Sequence, residues 1–172
     1  MVRFACSREV PMKVQDLMSS RVAKCSEHDS GERAAELMMV DDCGAIPVVD
    51  DEELVVGIVT DRDLCMGAYR RARTLKKMTV ASLMSRDVAC CNPNDDVRDA
   101  EELMRAHHVR RLPVVEATGR LVGIVSLSDF AREAAQEAQI EGAENVRYED
   151  VGKTLGMIVG VGWPARIENV FE

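Results

Sequence analysis

Apolar residues along the chain alternate between helical spacing and short continuous runs. Ala34, Leu37, Met38 and Asp41 follow the three-and-four spacing of a helix over residues 32–40, and Asp29 and Ser30 precede it as suitable N-caps. Gly44 stands where such a helix should end. Residues 46–50 and 54–60 are apolar runs separated by Asp51-Glu52-Glu53, which predicts a β-hairpin. Before the helix, 22–25 predicts a short strand after a helical turn containing Leu17 and Met18. From Asp61 the composition is helical again. The pattern reads β-α-β-β-α.

The whole pattern then recurs. A shift of 66 aligns Met12–Asp63 with Met78–Asp129 without a gap, and about twenty of the fifty-two positions are identical. MKVQDLMSSRVAKC matches MTVASLMSRDVACC, AIPVVD matches RLPVVE, and GIVTDRD matches GIVSLSD. This is an internal duplication. In the second copy the helix falls at 96–106, the strands at 112–116 and 121–126, and the turn between them carries Gly119. A unit of about fifty residues is marginal alone because too little surface can be buried. Two units packed sheet to sheet share a core and leave pseudo-symmetric clefts between them, an α+β (mixed α/β) architecture.

In combination, D-L-M-S at the repeat start, h-P-V-V-D/E in the middle and G-I-V-T/S-x-x-D at the end resemble the CBS-domain pair, or Bateman module, of tandem cystathionine-β-synthase-type repeats. The resemblance covers about residues 10–136, with repeat one at 10–70, repeat two at 76–136 and a tail at 137–172 outside it. It implies a stand-alone regulatory module that binds an adenosine-containing ligand between the repeats and relays occupancy to a partner. AMP, ADP or ATP lead among the ligands; S-adenosylmethionine and NAD are the alternatives, as is a purely structural module without ligand. Such pairs commonly form homodimers through their helices.

The same resemblance assigns candidate site residues. The closing aspartates Asp63 and Asp129 would hold the ribose. Thr60 and Ser126, with backbone N–H groups at the following helix N-terminus, would meet phosphate. Adenine would lie against Val22, Ala23 and Lys24, Val88, Ala89 and Cys90, and Ala45, Ile46 and Leu112. Arg111, assisted by Arg110 or His108, is the basic candidate for phosphate, with Arg62 a local option; a guanidinium offers a fixed fork of donors for it. Repeat one has Asp41-Asp42-Cys43-Gly44-Ala45 where repeat two has His107-His108-Val109-Arg110-Arg111, so the two sites should differ in phosphate preference. A second reading of the residues alone stays open: the T/S-x-x-D pairs cap the helices that follow, worth ~1 kcal/mol each, and the arginines form surface ion pairs.

Net charge of −8 argues against general nucleic-acid binding, which needs a basic face. No apolar run is long enough to span a bilayer, and the start lacks the apolar segment of an export signal. The expectation is a cytoplasmic protein, its six cysteines reduced. No C-x-x-C pair or zinc spacing occurs, and no catalytic constellation or catalytic cofactor is expected. The basic run with Arg70, Arg71, Arg73, Lys76 and Lys77 reads as a solvated helix face. In the tail, GKT at 152–154 lacks the earlier glycine of a phosphate loop, since position 147 is Arg. The apolar run 155–161 reads as an added strand, a cover for the dimer face or a docking element, with Trp163-Pro164 as its anchor.

Overall fold

The computed structural model describes residues 11–139 and 145–162. Repeat one carries α1 (Val14–Leu17), β1 (Cys25–Ser26), α2 (Gly31–Val40), β2 (Ala45–Val49), β3 (Val55–Thr60) and α3 (Asp61–Arg71). Two short 3-10 turns, Leu75–Lys77 and Val80–Ser82, lead into repeat two, with α4 (Val97–His107), β4 (Arg111–Val115), β5 (Leu121–Ser126) and α5 (Leu127–Glu137). A last helix, α6 (Tyr148–Gly162), follows.

Both hairpins form in the same register. Ala45 pairs with Thr60 and Val48 with Gly57; Arg111 pairs with Ser126 and Val114 with Gly123. At the first turn, Asp50 Oδ1 accepts from the N–H groups of Glu52 and Leu54, and Glu53 takes a left-handed φ of 68°. Ser30 caps α2 by accepting from the Arg33 N–H, and Asp96 caps α4 by accepting from the Arg98 N–H.

Three local expectations are corrected. The strand placed at 22–25 is only Cys25–Ser26, paired in parallel with β2, and its counterpart in repeat two shrinks to the single bridge Cys91–Val114. Residues 22–24 instead run along a cleft wall. Helix α2 ends at Val40, and the left-handed residue beyond it is Asp42, not Gly44. The run 155–161 belongs to a helix, because Val151, Thr154 and Ile158 recur at helical spacing and meet the core of repeat two. Trp163 and Pro164 lie outside the described residues.

The two repeats are plugged into one another. Val14, fully buried, enters the core of repeat two with Val97, Met104, Leu112, Val125 and Phe130. Its counterpart Val80, also fully buried, enters the core of repeat one with Ala34, Ile46, Val48, Val59 and Leu64. The chain ahead of each repeat also extends the other repeat's hairpin. Ser19 and Ile124 exchange both backbone hydrogen bonds at 2.9 and 3.0 Å, and Ile58 and Ser85 do so at 2.9 Å each.

This exchange explains the glycine in GIVT and GIVS. A Cβ at Gly57 would lie 2.6 Å from Met84 Sδ, and one at Gly123 would lie 2.5 Å from Met18 Sδ. Only a residue without a side chain lets those methionines, the M of each D/S-L-M-S motif, lie flat on the hairpin.

Candidate functional site

Crossing of the repeats makes each cleft from both. The first, of about 280 Å³, places Arg21–Ala23, Asp41–Cys43 and Ala45 of repeat one opposite Ser126, Ser128 and Asp129 of repeat two. The second, of about 220 Å³, places Ile58 and Thr60 of repeat one opposite Val88, Ala89 and residues 108–111 of repeat two. Both volumes lie near the lower end of small-molecule sites, roughly 300 Å³. Arg111 and Ala45 border both clefts.

Each closing motif forms a reciprocal capping box. Asp63 Oδ2 accepts from the Thr60 N–H at 2.9 Å and from its hydroxyl at 2.6 Å. Asp129 Oδ2 accepts from the Ser126 N–H at 2.8 Å and from its hydroxyl at 2.6 Å. In both boxes the second carboxylate oxygen, Oδ1, plays no part in the cap. In Asp129 that oxygen accepts from Arg132 at 2.9 Å, while Asp129 itself is buried and Arg132 is exposed. Each cap therefore engages one carboxylate oxygen, Oδ2, and leaves Oδ1 outside it.

The basic candidates are unequal. Arg111 is half-buried at the start of β4, and its guanidinium reaches across to repeat one: a Cβ on Gly44 would lie 3.5 Å from Arg111 Nη2 and 3.0 Å from Asp61 Oδ2. Gly44 thus leaves room chiefly for the Asp61 carboxylate rather than ending the helix, with Arg111 in ordinary contact beside it. Arg110 and His108 line the second cleft together with Asp87, giving it a cationic, largely apolar wall. The first cleft mixes Arg21 and Arg111 with Asp41, Asp42 and Asp129. The unequal charge expected from sequence is present, but Arg111 borders both clefts because they are crossed.

The structure does not bring all candidates to the clefts. Ile46 and Leu112 are fully buried core residues, since their strands turn those side chains inward. Lys24 is exposed and ion-paired with Glu53. Arg62 is exposed at the start of α3, outside the walls of both clefts, and so is Cys90, half-buried after Val88 and Ala89. Asp63 opens onto a separate depression of about 420 Å³ with Met66, Gly67, Arg70, Arg71, Ser82 and Leu83, although Thr60 beside it lines the second cleft. The sequence did not single out Ser19, Arg21, Ile124 and Ser128 in the first cleft or Ile58, Asp87 and Val109 in the second. Arg21 was legible as the residue before Val22, and Ser128 as the position before the closing aspartate.

A third cavity, of about 230 Å³, joins this region to the tail. Arg110, Arg111, Ser126 and Ser128 form one side, and Val151 and Leu155 of α6 form another. Helix α6 lies on α4 and α5, where Thr154 donates to the buried Glu101 carboxylate at 2.6 Å. Glu137, also buried, accepts from Asn145 Nδ2 and the Val146 N–H at 2.8 Å each, fastening the approach to the helix.

Cys25 and Cys91 are buried, one in each core. Burial pushes the Cys25 and Cys91 thiols up to about 12, with Asp29 and Asp95 adding to the effect, and burial raises Cys90 and Cys43 as well. Among the described residues no group of three His, Cys, Asp or Glu side chains could hold a metal ion, and no helix is long and apolar enough to cross a membrane.

Two interlocked units of one helix-and-hairpin pattern with crossed clefts make a paired module, and the CBS domain family model matches residues 14–67 and 80–136. The chain belongs to the CBS-domain family. It is 34% identical over 139 residues to the CBS domain-containing protein YhcV of Bacillus subtilis (strain 168), covering 80% of this chain and 97% of that one. CBSX2, solved in complex with AMP, is 30% identical with a TM-score of 0.65, covering 73% of this chain and 98% of that one. The CBS domain pair of MJ0100, solved with 5′-methylthioadenosine and S-adenosyl-L-methionine, is 25% identical with a TM-score of 0.67, covering 74% and 98%.

Proposed function

We propose that the chain is a cytoplasmic regulatory module that binds an adenosine-containing ligand, AMP, ADP or ATP, between its repeats. It works as a homodimer and relays occupancy to a separate effector protein; its chemistry is binding, not catalysis. The single observation that carries the ligand reading is the first cleft. There a buried carboxylate, a hydroxyl at a helix N-terminus and the Arg111 guanidinium converge on the apolar wall of Val22, Ala23 and Ala45. A carboxylate suits a ribose diol, the hydroxyl and guanidinium suit phosphate, and the apolar wall suits a purine. Relatives solved with AMP or with S-adenosyl-L-methionine support the ligand class. Asp63 and Thr60 take the corresponding roles toward the second cleft, where Asp63 must turn its free Oδ1 inward. Helix α6, which walls the third cavity beside Arg110 and Arg111, is the element placed to report occupancy.

Thermal unfolding with AMP, ADP, ATP, NAD and S-adenosylmethionine tests the reading. A ligand at a hundred times its dissociation constant adds ~2.7 kcal/mol of stability and raises the midpoint. The shift should fall to about half or less in Arg111→Ala and shrink in Asp129→Ala. No shift with any of the five would leave an interaction module without ligand.

A further inference from the structure

The exposed large apolar side chains of the described residues are eight, and they fall in only two places. Met39, Val40, Met66 and Tyr69 lie on α2 and α3 of repeat one; Tyr148, Leu155, Met157 and Val159 lie on α6. On repeat two the matching helix face is covered, because α6 sits on α4 and α5 with Val151, Thr154 and Ile158 turned toward them. Among the described residues repeat one has no such cover, and it lacks the polar fastening, since the counterpart of Glu101 is Ala35 and that of Glu137 is Arg71. A helix apolar on both faces asks to be covered on both. One chain therefore presents a bare helical face and a helix whose outer side is itself bare.

We infer that α6 of each copy packs its outer face on the α2–α3 face of a second copy, reciprocally, so that α6 lies sandwiched between the two chains. Such a two-fold arrangement closes, because both bare faces of both copies are covered at once. Charge favours this pairing over like-with-like contact. The α2–α3 face is flanked by Arg70, Arg71, Arg73, Lys76 and Lys77, all exposed, and Arg70, Arg73, Lys76 and Lys77 form no ion pair among the described residues. Helix α6 begins with Glu149 and Asp150, of which Asp150 already pairs with Lys153 at 3.5 Å and Glu149 forms no ion pair among the described residues. Like-with-like contact would instead place two basic flanks together. Gly152, Gly156 and Gly160, four residues apart along α6 with nothing within 4 Å, leave a shallow channel for large side chains such as Tyr69 and Met39.

The inference rests on the two-copy reading above and is independent of nucleotide. Sedimentation velocity of the full chain without ligand tests it. The wild type should run as a dimer of twice 19.0 kDa. Tyr69→Asp and Met157→Asp should each weaken dimerisation by at least about 30-fold, as loss of an interface anchor does. Mixing the two variants should restore a dimer, because the intact α6 of one copy then meets the intact α2–α3 face of the other. Circular dichroism and the unfolding midpoint confirm that each variant folds; should Met157→Asp not fold, Glu149→Lys paired with Arg73→Glu replaces it, each weakening and the mixture recovering. A monomeric wild type overturns the two-copy reading along with this one. A dimer indifferent to both substitutions, or no recovery on mixing, overturns the α6 arrangement alone and leaves nucleotide binding untouched.

Discussion

The two repeats share a fold and a closing motif, yet they finish it differently. In repeat two the closing aspartate is buried and holds Arg132, the core is built around Phe130, and α6 is fastened over the helices by Glu101 and Glu137. In repeat one the aspartate is half-exposed, Leu64 stands at the position of Phe130, and the helix face stays bare. Both halves keep the mutual plug of Val14 and Val80 and a T/S-x-x-D capping box, but Ser126 and Asp129 both line the first cleft while only Thr60 of the other box lines the second. The duplication leaves each half free to diverge on its outer face. Repeat two is the anchored half, and repeat one the half whose helix face is bare among the described residues.

That contrast can be broken most severely in the core. Phe130→Ala should cost about 3–5 kcal/mol in chemical denaturation. Because the cores interlock, the loss should appear as one transition of the whole chain; two separate transitions would show that the repeats fold independently. Next comes the shared guanidinium. Loss of charge-assisted hydrogen bonds worth about 1.5–3 kcal/mol predicts that Arg111→Ala weakens nucleotide binding roughly 10- to 150-fold. Calorimetric titration should show both clefts affected, whereas Asp129→Ala should affect the first alone. Smaller still, Thr154→Val leaves the buried Glu101 carboxylate without its donor. It should cost about 1–3 kcal/mol, read as faster hydrogen exchange in α6 with α2 unchanged.

The least disruptive test concerns protons. Unfolded thiols titrate near 9 and those of Cys25 and Cys91 near 12, so the native state holds them neutral. Their folded value lies above the unfolded one, so the stabilisation is complete below pH 9 and is lost as pH rises from there toward 12. Stability should decline across that window, less steeply in Cys91→Ala. At neutral pH a thiol reagent should reach exposed Cys65 in the native protein but Cys25 and Cys91 only on unfolding.

The sequence carried the architecture because the duplication states it twice. Hairpins, helices and capping aspartates follow from periodicity and local hydrogen bonding, which act within a few residues. What it concealed was destination. Val14 and Val80 look like ordinary apolar residues, and nothing local says that each belongs to the other repeat's core. Ile46 and Leu112 sit beside cleft residues in sequence, but strand alternation turns them inward while Ala45 and Arg111 line both clefts. The glycines of α6 argued against a helix, yet their four-residue spacing lays them along one exposed strip, and the packed face of Val151, Thr154 and Ile158 prevails. The crossed clefts, and with them the place of Arg111 on both, are a tertiary fact.

The central claim is that the closing aspartate both caps its helix and holds a ligand, through different oxygens. Calorimetric titration of AMP into Asp129→Glu, beside its unfolding midpoint, separates the two roles. Glutamate at this position still completes a capping box, but its longer arm displaces the ribose contact. The account predicts an unchanged midpoint with AMP affinity at the first cleft reduced at least ~10-fold, the loss of about one charge-assisted hydrogen bond. AMP binding equally well to the variant and the wild type would contradict it, leaving Asp129 a helix cap and nothing more.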